Sequence, residues 1–259
     1  LKRVITISSN VLEGFNATEI NNQIKERMKN YSLPSENTLS FTGEQEEQAE
    51  QFAFLSRALM IAVFLIFLIL VSQFNSAGQP FIILSAVVLS LIGVFLGIVI
   101  FRMNFVIMMT MIGIISLAGI VVNNAIVLID YTKLIIARKK AELGVATEQY
   151  LPKQILFEAI VEGGKLRLRP VLLTAITTVL GLLPLATGMN INFYTLFSEY
   201  DPQIYFGGDN VIFWGPMSWT IIFGLTFATF LTLVIVPVMF YLQSRLLYRL
   251  YPSRIANVE

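Results

Sequence analysis

The chain is 259 residues long, 56% hydrophobic and 14% charged, with a mean hydropathy of +0.72, a balance that excludes an ordinary water-soluble domain and marks an integral membrane protein. A net charge of +1 gives no reason to expect nucleic acid as a partner. The absence of cysteine and histidine removes disulfides, thiolate sites, the commonest metal ligand and the usual general base.

Residues 1–43 are polar and patterned like a soluble module. Val4 to Ser8 alternates as a strand, as does Asn37 to Gly43. Between them Asn16 and Glu19 have the spacing of a capping box, and Ile20, Ile24 and Met28 recur at helical spacing up to Pro34. Such a strand-helix-strand unit buries too little apolar surface to fold alone, so it is expected to complete a sheet supplied by sequence upstream of Leu1. The chain opens on Leu1 rather than Met, and reads as part of a longer protein.

Residues 44–259 carry five apolar runs, at about 54–74, 81–101, 105–130, 170–187 and 213–242. The runs at 54–74, 81–101 and 105–130, together with the longer one at 213–242, supply the roughly 20 residues that an α-helix needs to cross a bilayer, and the run at 170–187 is only slightly shorter. The first is led in by the acidic stretch Glu44 to Glu50, and Gly78, Gln79 and Pro80 are expected to turn the chain into the second. In the second, Gly93 and Gly97 form a G-x-x-x-G pair whose use is close helix contact. The third contains Asn123 and Asn124, on the order of 10 Å below the water if counted back from Asp130 at about 1.5 Å per residue. An unpartnered amide is costly there, so both need protein partners. Ser116, Gly119, Asn123 and Asp130 fall on one small or polar stripe, expected to face other helices.

A basic connection follows from Thr132 to Arg169, with an amphipathic segment at about 152–162 expected to lie along the membrane surface and to stop at Gly163-Gly164. Pro170 is expected to open the fourth span, whose Thr174, Thr177 and Thr178 share one face. Threonines in such a position either offer hydroxyls to neighbours or bond back to their own helix. In the fifth span Thr220, Gly224, Ala228 and Thr232 make a seam of small residues.

Chemistry is sparse: no nucleophile-base set, phosphate-binding glycine loop or metal-ligand cluster is present, so no enzyme and no metal site are expected. Met103, Met108, Met109 and Met111 are read as core filler before a soft-metal path. What remains is the membrane-embedded polar set Asn123, Asn124 and Thr174, which fits a proton or ion relay or, equally simply, interhelical glue.

The segments GIVVNNAIVLIDY at 119–131, EGGKLRLRPVLLTAITTVLGLLPLA at 162–186 and VPV at 236–238 resemble the carboxy-terminal membrane half of resistance-nodulation-division (RND) efflux transporters, of the hydrophobe/amphiphile branch. FTGEQEEQAEQFAFLSRAL at 41–59 is similar to that family's junction between porter and membrane domains. The resemblance implies an all-α membrane bundle whose five spans are the last five of twelve, with residues 1–43 ending a ferredoxin-like α/β porter subdomain. It implies proton antiport driven by the proton-motive force without a cofactor, and export of amphiphilic molecules or, alternatively, heavy metals. A proton-coupled accessory of protein or lipid export is a further alternative. It also implies a homotrimer in the bacterial inner membrane with a periplasmic adaptor and an outer-membrane channel. The family's relay joins two aspartates, absent from this chain, to a lysine, a threonine and an arginine. Thr174 and Arg167 match the last two, whereas Asn123 stands at the lysine position, so that a relay would switch hydrogen bonds rather than break a salt bridge.

Eight basic residues between 132 and 169, with Arg245, Arg249 and Arg254, put eleven of the 18 basic residues on one side, the cytoplasm by the positive-inside rule. The amino-terminal module is then periplasmic and the tail cytoplasmic. In native-orientation membranes, a cysteine replacing Asn190 should react with an impermeant thiol reagent from the periplasmic side, and one replacing Lys139 should not. The opposite labelling would overturn the orientation.

Overall fold

The computed structural model describes residues 4–9, 11–12, 17–29, 39, 41–76, 78–146 and 148–254. They divide into two units, Leu1–Glu50 and Gln51–Glu259. In the first, α1 (Ala17–Lys29) is the predicted amphipathic helix. Lys25 pairs with Glu46 at 2.9 Å and lies over the ring of Phe41, contacts that are half exposed and hold little. Ile24 on its apolar face is 43% exposed. The strand expected over 4–8 is not formed: residues 4–9 are irregular and exposed, and a strand is stable only beside a partner, which the described residues do not provide. The second expected strand and the Asn16 cap fall largely outside the described residues.

Among the described residues, five helices are long and apolar enough to cross a membrane: α2 (Glu44–Phe74), α3 (Gly78–Ile100), α4 (Ile107–Glu142), α5 (Lys153–Thr187) and α7 (Asp209–Leu250). The α2–α3 turn falls at Asn75, in left-handed conformation, and not at Gly78-Gln79-Pro80, which already belong to α3. Proline is tolerated there because first-turn N–H groups lack helical partners. The separate surface helix expected at 152–162 is likewise corrected. Gly163 and Gly164 do not stop it, and α5 runs unbroken from Lys153 through Pro170 and Pro184. Two glycines weaken a helix by about 1 kcal/mol each, which packing offsets when the missing side chain lets another helix approach. A Cβ on Gly163 would stand 2.8 Å from Thr132 Oγ1. The basic connection is therefore mostly helix, since α4 continues to Glu142 and only residues 143–152 join it to α5.

Between α5 and α7 the chain makes a small clasp. Here β1 (Met189–Asn190) pairs antiparallel with β2 (Tyr205–Phe206) around the short helix α6 (Phe193–Glu199). Asn192 caps α6 through Tyr194 N and Thr195 N, and Asn190 Nδ2 donates to the carbonyls of Gly188 and Gly207 at 2.8 and 2.9 Å. Trp219 Nε1 donates to the Ala186 carbonyl at 2.9 Å, satisfying an acceptor in the last turn of α5.

The hub of the bundle is α7, which packs against α3, α4 and α5. In lipid no hydrophobic force drives helices together, so close van der Waals contact must do it. The expected seams supply that contact. A Cβ at Gly93 would collide with Phe227 and one at Gly97 with Phe223, so the two glycines receive two rings spaced one turn apart on antiparallel α7. Gly224 meets Leu117 of α4 and Val94 of α3, and Thr220, Ala228 and Thr232 are buried with it. Tyr248 OH donates to the Leu151 carbonyl at 2.7 Å, tying the basic end of α7 to the α4–α5 link.

Gly93→Leu should lower the amount of folded intact protein, since overpacking of a fitted contact costs about 1–3 kcal/mol. Adding Phe227→Ala should restore it by vacating the clash. A Gly93→Leu protein that accumulates like the parent would refute this packing.

Candidate functional site

The seam between α4 and α5 is an antiparallel ladder. At one rung Thr174 Oγ1 lies 3.5 Å from Asn124 Oδ1 and donates to its own helix at Val171 O, 2.9 Å away. One hydroxyl proton cannot serve both acceptors well. The amide orientation that satisfies both groups has Nδ2 of Asn124 donating to Oγ1, which keeps its bond to Val171. Seven residues further along each helix, Arg167 stacks on Tyr131, its guanidinium carbon 4.1 Å from the ring centre. Its Nε is buried with no hydrogen-bond partner. A third rung joins Lys139 to Glu162 and Glu158 at 3.4 and 4.0 Å.

The two asparagines face different surroundings. Asn124 is 7% exposed within the bundle, whereas Asn123 is exposed on its outer surface. Successive helical residues differ by about 100°, so when Asn124 turns toward α5 its neighbour turns outward. Ser116, Gly119 and Asp130 are exposed beside Asn123. The predicted stripe is real, but no described helix covers it. Gly119, expected at a helix contact, has no atom within 4 Å of where its Cβ would stand. It lines instead a cavity of 460 Å³ shared with Ile120, Asn123, Asn124, Thr174, Thr177 and Thr178. Thr177 and Thr178 bond back to Leu173 and Thr174 carbonyls, so their hydroxyls are occupied within α5.

Of the predicted residues, the structure joins Asn124 to Thr174, leaves Asn123 at the mouth of their cavity, and holds Arg167 two turns away, about 10 Å along α5. Tyr131, the platform for Arg167, is not among the polar candidates that the sequence offers; an aromatic seven residues past Asn124 on an antiparallel seam is the signal that points to it. The methionines differ in exposure: Met109 and Met111 are buried and Met108 is 39% exposed.

Among the described residues, five membrane-length apolar helices, an amide–hydroxyl contact between α4 and α5 and a polar face left open fit a multi-pass membrane transporter domain of the RND class. Within that class the chain belongs to the AcrB/AcrD/AcrF family, whose sequence model matches residues 1–191. It is 34% identical over 225 residues to the swarming motility protein SwrC of Bacillus subtilis, covering 87% of this chain and 18% of that protein. It is 28% identical over 254 residues to the multidrug resistance protein MdtC of Photorhabdus laumondii, covering 98% and 21%. A crystal structure of a heavy metal efflux pump superposes with a TM-score of 0.62 at 26% identity, over 90% of this chain and 20% of the pump. The chain thus spans about a fifth of the length of the relatives it matches.

Proposed function

We propose that the chain forms part of a proton-driven exporter of amphiphilic molecules, and that Asn123, Asn124 and Thr174 belong to its proton relay. The observation that carries this reading is the open cavity beside Asn123, where an amide and a hydroxyl-lined wall meet on an uncovered face at membrane depth. Polar groups so placed need partners of their own kind. A further transmembrane helix bearing carboxylates supplies them. Their protonation would exchange hydrogen bonds with Asn123, while the Asn124–Thr174 pair keeps α4 and α5 in register. Arg167 sits too far along α5 to touch the pair and would act on the relay through its charge.

The rest of the assembly follows as part of the same reading. The five spans are the last five of twelve, and residues 1–43 complete a ferredoxin-like subdomain with upstream sequence. The amino-terminal side is periplasmic and the carboxy terminus cytoplasmic, in a homotrimer of the bacterial inner membrane that works with an adaptor and an outer-membrane channel. Energy comes from the proton-motive force. A metal cargo is the second reading, favoured by the likeness to a heavy metal efflux pump.

In the intact protein, Asn123→Leu and Thr174→Val should each reduce proton-coupled efflux to background at unchanged protein level. One interhelical hydrogen bond is worth on the order of 1 kcal/mol, too little to unfold the bundle. Parental efflux rates in both variants would leave these residues as structural contacts and end the relay assignment.

A further inference from the structure

Between the basic ends of α5 and α7 lies a second cavity, of 340 Å³, which the candidate relay does not use. Its size falls at the small end of pockets that hold organic ligands, ~300–1,000 Å³. Phe157, Gly164, Lys165 and Leu168 line one wall, Pro237 and Tyr241 the other. The rings of Phe157 and Tyr241 meet edge to face at 5.8 Å and close one end. The groove exists because Gly164 withholds a side chain: no atom lies within 4 Å of where its Cβ would be. Phe157 and Leu168 are 54% and 43% exposed, so the trough is open along its side.

Charge around this trough is sorted. The α5 acids Glu158 and Glu162 turn away from it and approach Lys139 of α4. Lys165 lines the trough itself. Lys153 precedes Phe157 by one helical turn and Arg245 follows Tyr241 by one, so both bring positive charge to the end that the ring pair closes. Among the described residues none of these three cations forms an ion pair. An apolar trough with unpaired cations at the end of a membrane helix matches a ligand with a hydrocarbon chain and an anionic head.

We propose that this groove binds an anionic phospholipid from the leaflet on the basic side of the membrane. The acyl chain lies along Gly164 between the two helices and the phosphate sits at the basic end, held by Lys153 and Arg245, while Lys165, about 18 Å along α5 from Lys153, adds positive charge within the trough. The site is independent of the relay.

The test uses the intact protein in phosphatidylcholine nanodiscs doped with phosphatidylglycerol or phosphatidylcholine carrying a photoactivatable diazirine on the acyl chain, with labelled peptides mapped by mass spectrometry. Phosphatidylglycerol should label residues 157–168 and 233–242 in preference to phosphatidylcholine. Replacing Lys153 and Arg245 by Gln should lower that labelling by about fivefold per cation removed and leave phosphatidylcholine labelling unchanged. Gly164→Leu should fill the trough and lower labelling by both lipids. Equal labelling of the parent by the two lipids would show ordinary boundary contact, and absence of labelling would show the groove covered by another protein segment. Either result, or indifference to the charge changes, overturns the proposal.

Discussion

An amide inside hydrocarbon has no water to bond, and this requirement organises the structure. Asn124 meets it within the chain, against Thr174, and fixes how α4 and α5 lie together. The Arg167–Tyr131 stack and the Lys139 ion pairs follow at matching intervals along the same seam. Asn123, one residue earlier, turns outward with Ser116, Gly119 and Asp130. A single helix thereby presents one polar face with a partner inside the bundle and one left exposed.

The other helices hold that helix in place by shape. In lipid, small residues matter because they let backbones approach, and the fit of Phe223 and Phe227 over Gly97 and Gly93 shows how specific the approach is. Gly113 meets Thr220 and Gly224 meets Leu117, so α7 presses on α4 from behind the polar face. The rigid side of α4 is thus apolar and tightly packed, and its polar side borders a cavity, an arrangement suited to changing hydrogen bonds without moving the backbone.

What was legible in the sequence follows from which physical signals are local. Five apolar runs gave five spanning helices because hydrocarbon leaves the backbone few alternatives. The small-residue seams at Gly93, Gly97, Gly224 and Ala228 were legible for the same reason, since spacing alone puts them on one face. Gly119 shows the limit: a missing side chain permits either a close helix or a void, and only the neighbours decide. Helix continuity through Gly163, Gly164 and Pro170 is not legible in local propensity; at Gly163 the close approach of Thr132 favours a helix that two glycines alone would weaken. The expected strand at 4–8 depends on a partner that no local pattern contains. The choice of Asn124 over Asn123 as the partner of Thr174 likewise required the rotation of α4, which a stripe of residues does not fix.

On this reading the face bearing Ser116, Gly119 and Asn123 meets protein and water, not lipid tails. A nitroxide attached at a cysteine replacing Gly119, in the intact protein in bilayers, reports this through its collisions with oxygen and with a water-soluble nickel chelate. A label at Leu96, 46% exposed on α3, gives the lipid reference. Oxygen accessibility at 119 should be well below that at 96, and nickel accessibility above it. Equal values at the two positions, high for oxygen and low for nickel, would place the polar stripe against lipid and rule out a protein or water partner there.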